Sequence, residues 1–309
     1  MDEVVSAVGK LPPLALDLPT DSTLGLVDPL RCADDERYLD EVVRAVVPLA
    51  DAGSQVRCVS NSRDGQLLLG PHGRQTDPVV TGGPAVKRAH ALNCGRGTIR
   101  LAERLGAPTV RLLVGCPDFA NWLSWWGSDA GWQDNVVEFL THAEPLLRQA
   151  REAGVRILLE PHPKQIVYDR ESTRLLFQHA GRWSDVLGVC VDPANLAALG
   201  YDESATVVGW GDRMAAVHAK DLQRWHGADA PRGAGWSRYG PQPPIRFRAL
   251  GLGELDWPQI VAALLDEEFG GVLYVEHEDA LIPREQSIRR SLRVLESLAP
   301  GSPPEGRTW

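Results

Sequence analysis

Short segments rich in Val, Ile and Leu recur along the chain and alternate with longer segments whose apolar residues return every three or four positions. The short segments predict seven β-strands, at residues 14–18, 56–60, 109–115, 155–160, 186–192, 214–220 and 272–278. Most are apolar throughout until they reach a polar end. That pattern is typical of strands in a parallel sheet covered on both faces.

The longer segments predict amphipathic helices, most clearly at residues 36–53, 97–106, 136–154, 257–271 and 284–300. The first three of these end on glycine, the residue that most often terminates a helix. Pro145 lies inside the third and predicts a kink or an interruption, because proline has no N–H to donate. The first ten residues also have a helical pattern.

Alternation of strands and helices over nearly the whole length predicts an α/β protein, and specifically a (β/α)8 TIM barrel. Seven strands are one fewer than that barrel needs, and the chain starts with a predicted helix. We therefore expect the first strand to be missing or irregular. A single domain is predicted at residues 1–298, followed by a Pro/Gly-rich tail at 299–309 that we expect to be disordered.

Four consecutive predicted strands end on residues that can bind a metal ion: Glu160, Asp192, His218 and Glu276. In a TIM barrel the carboxyl ends of the strands meet at one end of the barrel. Any one of these residues alone is more often a helix N-cap, a solvated carboxylate or a core histidine. Three carboxylates and an imidazole at the same end favour a site for a divalent ion such as Mn²⁺, Mg²⁺, Co²⁺ or Zn²⁺.

Five segments, LLEPHP, VCVDPANL, VHAKD, RFRALGLGELDW and LYVEHED, occur in that order between residues 155 and 295. Together they resemble the motifs of the xylose isomerase-like TIM barrels, the sugar phosphate isomerase/epimerase family. The resemblance implies one divalent metal ion, with Mn²⁺ first among the candidates. Its ligands would be Glu160, Asp192, His218 and Glu276.

The resemblance also implies an isomerase or epimerase of sugars or keto-sugars that acts by proton abstraction and a metal-stabilised enediolate. Glu160 and Glu276 would then be acid/base groups as well as ligands. A lyase is the alternative within enzymes, either a keto-inositol-type dehydratase or a C-glycoside deglycosidase that acts by β-elimination. A non-catalytic barrel that binds sugar or stabilises a partner is the alternative outside enzymes. An apurinic endonuclease, which has a related fold, is disfavoured because it needs more histidines at the strand ends than this chain has.

Further residues of these motifs and of one tryptophan-rich loop are candidates for contact with the substrate: His162, Asn195, Lys220, Asp221, Arg246, Arg248, Trp125 and Trp126. Several have a second interpretation. His162 could pack behind the ligands, Lys220 could be an exposed charge, and Asp221 could orient a ligand or the lysine. One of the two arginines is expected to be structural, on a long loop at 221–250.

Two loops could also contribute to the candidate site, and one residue departs from the family motif. The loop 118–132 carries Phe119, Trp122 and Trp132 besides Trp125 and Trp126, and it could stack on a sugar, fill a gap or form an interface. The Gly/Pro-rich loop 222–245 could be a mobile lid. Asn195 stands where the family motif has histidine, and an amide cannot transfer a proton.

The net charge indicates which partners to expect, and the cysteines indicate the cellular compartment. The net charge of −9 and the pI near 5.4 argue against nucleic acid, which is bound by clustered Lys and Arg. Five widely spaced cysteines fit reduced thiols in the cytoplasm, and no apolar run is long enough to cross a membrane. We expect a cytoplasmic protein with a small carbohydrate substrate. A homo-oligomer or a partner subunit is left open.

Overall fold

The computed structural model describes residues 1–122, 131–224 and 245–299. Trp125 and Trp126, nearly all of the predicted lid and all but the first residue of the predicted tail lie outside those ranges. The chain divides into two compact units, Met1–Cys190 and Val191–Trp309. The single domain expected at residues 1–298 stays a prediction.

The first unit begins with a short helix and continues with five parallel strands that hydrogen-bond to one another in chain order. Its elements are α1 (Asp2–Val8), β1 (Ala15–Pro19), α2 (Pro29–Asp34), α3 (Glu36–Asp51), β2 (Gln55–Asn61), α4 (Pro84–Leu105), β3 (Thr109–Leu112), α5 (Trp132–Glu152), β4 (Arg156–Leu159), α6 (Arg170–His179) and β5 (Leu187–Val191), whose last residue begins the second unit.

The second unit contains a parallel strand pair and an antiparallel hairpin. Its elements are α7 (Pro193–Ala198), β6 (Met214–Ala219), β7 (Asp221–Arg224), β8 (Ile245–Arg248), α8 (Trp257–Asp266), β9 (Val272–Val275) and α9 (Arg284–Leu298). Strand β6 pairs with β9, and β7 pairs with β8. All seven predicted strands are therefore present. The hairpin corrects our expectation of a plain loop at 221–250.

Helix α4 is longer than the periodicity predicts and begins at Pro84 rather than at Gly97. The reason is close packing against α2 and α5. A Cβ atom on Gly97 would lie 1.8 Å from the carbonyl oxygen of Pro29, and one on Gly95 would lie 2.8 Å from Leu146. Glycines at such contacts replace the large apolar residues that make a helical period visible.

Helix α5 also differs from expectation, because it continues through Pro145 without interruption from Trp132 to Glu152. Trp132 is thus the first residue of a helix and is buried. The start of helix α8 is fixed by a side-chain cap. Asp256 caps α8 by accepting a hydrogen bond from the Gln259 N–H, and Trp257 behind it is buried.

The strand register shows which side chains share a face. Arg111 of β3 lies opposite Leu158 of β4, and Asp17 of β1 lies opposite Cys58 of β2. Because side chains alternate along a strand, Glu160 follows Leu158 on the same face. In the second unit His218 lies opposite Tyr274, and Glu276 follows on that face.

Within the described ranges, no helix is both long enough and apolar enough to cross a membrane.

Candidate metal centre

Asp192 follows β5 and caps helix α7. Its Oδ1 atom accepts hydrogen bonds from the N–H groups of Ala194 and Asn195, at 2.8 and 3.2 Å. The carboxylate is completely buried. The cap uses one oxygen and fixes the orientation of the group, while Oδ2 faces other polar atoms of the second unit. Asp192 is therefore both an N-cap and a candidate ligand.

His218 and Glu276 come from the paired strands β6 and β9. The Nδ1 atom of buried His218 lies 3.5 Å from Oε2 of Glu276 and 3.9 Å from Oδ2 of Asp192. The three residues each offer one ligand atom, and these atoms lie within 4.8 Å of one another. Pairing of β6 with β9 brings two of them together, since His218 and Glu276 are near neighbours on one face.

Lys220 connects the same carboxylates. Its Nζ atom lies 2.9 Å from Oδ2 of Asp192 and 2.7 Å from Oε2 of Glu276, and it also donates to Oε2 of Glu278. The ring centre of Phe247 is 4.2 Å from the ammonium. The side chain is only 2% exposed, so the interpretation of Lys220 as an exposed charge is wrong. The carboxylates supply the partners that allow a lysine to be buried.

The three residues fit a divalent ion in both geometry and charge. Ligand atoms that each lie about 2.0–2.2 Å from one ion are about 3–4 Å from each other, and the His218 distances are of that size. Lys220 shows that the oxygens of Asp192 and Glu276 already bind a cation. A carboxylate oxygen has a second lone pair, so an ammonium on one side leaves room for an ion on the other.

Glu160 lies in the first unit, immediately after β4, and its side chain is 3% exposed. Its Oε2 atom accepts a hydrogen bond from Nη1 of Arg111 at 2.8 Å. The Arg111 side chain is 8% exposed, and its Nε atom lies 3.8 Å from Oδ2 of Asp17. The first unit thus carries three neighbouring charges, the partly exposed Asp17 of β1 and the buried Arg111 of β3 and Glu160 at the end of β4.

Asp221 supports a loop instead of facing the three candidate ligands. Its two oxygens accept hydrogen bonds from the N–H groups of Leu222, Gly251, Gly253 and Leu255, at 2.8 to 3.1 Å. Burial raises the pKa of Asp221 above its usual value, and the four N–H donors act in the opposite direction. The carboxylate therefore holds the segment after β8 in place.

The two arginines of β8 differ sharply. Nε of Arg248 lies 3.0 Å from Oδ2 of Asp279, and its Nη1 lies 2.7 Å from Oε1 of Gln223. Burial acts to raise the pKa of Asp279, but hydrogen bonds from Leu281, Ala249 and Arg248 lower it below its usual value. Arg246, two residues earlier on the same strand, is exposed. The geometry assigns the structural role to Arg248.

Of the remaining candidates, Asn195 is completely buried in α7, next to Asp192. His162 belongs to the loop after β4, where its Nδ1 atom lies 2.9 Å from the carbonyl oxygen of Pro163. Phe119 and Trp132 pack edge-on against Tyr168, with ring centres 5.5 and 5.0 Å away. For these two residues of the 118–132 loop, the packing interpretation holds.

Sequence reasoning missed Arg111, Asp17, Glu278 and Phe247. Arg111 lies in the middle of an apolar strand, and a charged residue there is a signal in itself, because unpaired charges are almost never buried. Glu278 had a comparable signal, since it follows Glu276 by two positions. The contact of Phe247 with Lys220 depends on the hairpin, which was not predicted.

The comparison with protein families agrees with this fold. Residues 37–298 match the family described as "Xylose isomerase-like TIM barrel". The chain belongs to this family. The fold class predicted from the sequence is thereby confirmed. A related sequence, the uncharacterised protein YfiH of Bacillus subtilis (strain 168), is 25% identical over 219 residues, which cover 64% of this chain and 68% of that protein.

Solved structures share the fold at low sequence identity. The probable 3-DHS dehydratase AsbF of Bacillus anthracis is 14% identical, with a TM-score of 0.62 over 95% of this chain and 92% of its own. The 3-keto-D-glucoside 4-epimerase YcjR of E. coli is 13% identical, with a TM-score of 0.59 over 93% and 100%. The IOLI protein, solved with a zinc atom, is 15% identical, with a TM-score of 0.62 over 96% and 91%.

Proposed function

We propose that this protein is a divalent-metal-dependent isomerase or epimerase of sugars or keto-sugars. Asp192, His218 and Glu276 would hold the ion, and Glu160 would be the fourth ligand, as the order of the motifs implies. Three carboxylates and one imidazole favour Mn²⁺, because oxygen-rich sites suit that ion better than sites rich in sulfur or nitrogen. The substrate would be a small carbohydrate.

One observation carries the proposal: Asp192, His218 and Glu276 bring their ligand atoms within 4.8 Å of one another. Lys220 supplies one positive charge to the carboxylates of Asp192, Glu276 and Glu278, so the cluster would retain negative charge that favours a divalent ion. The names of proteins with the same fold agree, since they include an epimerase and a protein solved with zinc.

The residues have distinct roles in such a reaction. A bound divalent ion would supply Lewis-acid polarisation of a carbonyl and its neighbouring hydroxyl. Glu276, whose side chain is 28% exposed, is the more accessible carboxylate and would take the proton next to the carbonyl. Glu160 would return a proton to the other face or to the next carbon. Lys220 would keep Glu276 oriented between the two steps.

Isotope exchange tests the proposal. The protein is incubated with Mn²⁺ and a panel of keto-sugars in D₂O, and solvent deuterium incorporation is followed by NMR. We expect deuterium next to the carbonyl in substrate and product, and loss of at least about 100-fold in rate for Glu276→Gln. Glu285→Gln, a change at a 74% exposed residue, is the matched control. Wild-type protein that binds no Mn²⁺ and exchanges no proton contradicts the proposal.

A lyase is the second candidate, because the probable dehydratase AsbF has the same fold. Elimination begins with the same proton abstraction and then expels a group from the neighbouring carbon. The same incubation separates the two reactions. Release of water or of an aglycone supports the lyase, whereas exchange with the carbon skeleton and its substituents intact supports the isomerase. Binding of a sugar without either reaction would support a non-catalytic barrel.

A further inference from the structure

We propose that Arg111 is a positioning residue that fixes the orientation of the Glu160 carboxylate. The inference rests on the proposed function, in which Glu160 is a ligand and an acid/base group. Neither the motifs nor the alternation of strands and helices assigns a role to Arg111, which lies on β3 within an otherwise apolar segment.

The contact between Arg111 and Glu160 is direct and buried. Nη1 of Arg111 lies 2.8 Å from Oε2 of Glu160, and the two side chains are 8% and 3% exposed. The strand register makes this contact specific. Arg111 pairs with Leu158, so the next side chain on the same face of the chain beyond β4 is Glu160. Both residues are therefore placed by the backbone of adjacent strands.

Asp17 is a second carboxylate near the guanidinium. Its Oδ2 atom lies 3.8 Å from Nε of Arg111, and its Oδ1 atom is buried without a hydrogen-bond donor among the described residues. The cation of Arg111 thus lies between two carboxylates, one on β1 and one after β4. We infer that attraction to both carboxylates favours one orientation of the planar guanidinium, and that its hydrogen bond orients Glu160.

A carboxylate with a fixed orientation binds a metal ion more tightly than one that rotates freely. The hydrogen bond from Arg111 engages one oxygen of Glu160 and sets the plane of the group, so that less rotational freedom is lost when an ion binds. Groups that orient ligands in this way typically change metal affinity or activity about 10–100-fold when they are mutated. Lysine carries the same charge, but it lacks the planar fork.

The test compares Mn²⁺ binding with folding in Arg111→Lys, Arg111→Met and Asp17→Asn. Free Mn²⁺ is measured by its electron paramagnetic resonance signal, and folding is measured by circular dichroism and thermal unfolding. We expect Arg111→Lys to fold and to bind Mn²⁺ about 10–100-fold more weakly. Asp17→Asn should bind more weakly by a smaller factor, since the Arg111–Glu160 contact is retained. Arg148→Lys, on the exposed face of α5, is the control.

The outcomes separate the inference from the proposed function. Wild-type protein that binds no Mn²⁺ defeats the proposed function, and the inference fails with it. If the wild-type protein binds Mn²⁺ and the folded Arg111 variants bind it equally well, only the inference fails. In that case Arg111 is a structural countercharge. A lowered unfolding temperature with unchanged Mn²⁺ affinity also overturns the inference. If both Arg111 variants fail to fold, Asp17→Asn decides, and unchanged affinity there has the same consequence.

Discussion

Nζ of Lys220 lies 2.7 Å from Oε2 of Glu276, the same oxygen that approaches His218 to 3.5 Å. An ammonium and an imidazole thus converge on one carboxylate of the candidate metal centre. The contact makes Lys220 part of the charge balance of this site, and it leads to a prediction about stability with and without metal.

Replacing Lys220 with methionine should lower the free energy of unfolding by about 2–3 kcal/mol in the presence of a chelator. Asp192, Glu276 and Glu278 would face one another without the ammonium, and partial exposure of the two glutamates limits the cost. Added Mn²⁺ should recover more stability in the variant than it adds to the wild type. Urea unfolding with and without Mn²⁺ measures both effects.

Lys10→Met, at an exposed lysine, is the control for this experiment and should leave the free energy of unfolding within about 0.5 kcal/mol of the wild type. A Lys220→Met protein that is as stable as the wild type in chelator would show that the three carboxylates need no countercharge.

Substitution of the two arginines of β8 should have different effects, with Arg248 needed for stability and Arg246 a candidate for substrate binding. Arg248→Ala should cost about 2–4 kcal/mol, because it leaves buried Asp279 without its cation and frees Gln223. Arg246→Ala should change stability by less than about 0.5 kcal/mol, since that side chain is exposed. If Arg246 binds substrate oxygens, kcat/KM falls about 10-fold or more in Arg246→Ala. Equal stability of the two variants would refute this division.

Gly253 should tolerate no side chain. A Cβ atom there would lie 2.2 Å from Oδ1 of Asp221 and 2.4 Å from the carbonyl oxygen of Leu222. Gly253→Ala should therefore displace the loop that Asp221 holds and cost about 2–4 kcal/mol. Gly270→Ala is the matched control, because no atom lies within 4 Å of its Cβ position. Thermal unfolding of the two variants makes the comparison.

Acid stability should depend on Asp64 in the first unit. Burial acts to raise its pKa, but hydrogen bonds from His90, Ser22 and Asn61 lower it below the usual 3.8. A carboxyl group with a lowered folded-state pKa stabilises the fold above its unfolded-state pKa. That stability is lost as the pH falls through the folded-state value. Asp64 should therefore contribute stability at pH 7 that disappears below about pH 4.

The measurement is urea unfolding from pH 7 to pH 2. Asp64→Asn should be less stable than the wild type at pH 7, by about 2–3 kcal/mol, and should show a smaller loss of stability in acid. Asp51→Asn, at an exposed carboxylate, should follow the wild-type profile. Parallel pH profiles for Asp64→Asn and the wild type would show that another group causes the acid sensitivity.

Much of the candidate centre could be predicted because strands of this type end on polar residues. The apolar runs before Glu160, Asp192, His218 and Glu276 located the strands, and within the second unit the pairing of β6 with β9 brings His218 and Glu276 together. The same logic failed for Lys220 and Asp221. Both follow β6 directly, and only the contacts show that one is a buried cation and the other supports a loop.

The sequence alone located the seven strands and the family, because apolar runs and motifs can be recognised along the chain. It also predicted four candidate ligands from the polar residues at the strand ends. Tertiary structure decided which charges meet. The pairing of Arg111 with Glu160 depends on the register of β3 and β4, and the separation of Arg246 from Arg248 depends on the β7–β8 hairpin. Contacts between distant residues follow from packing, which no local pattern encodes.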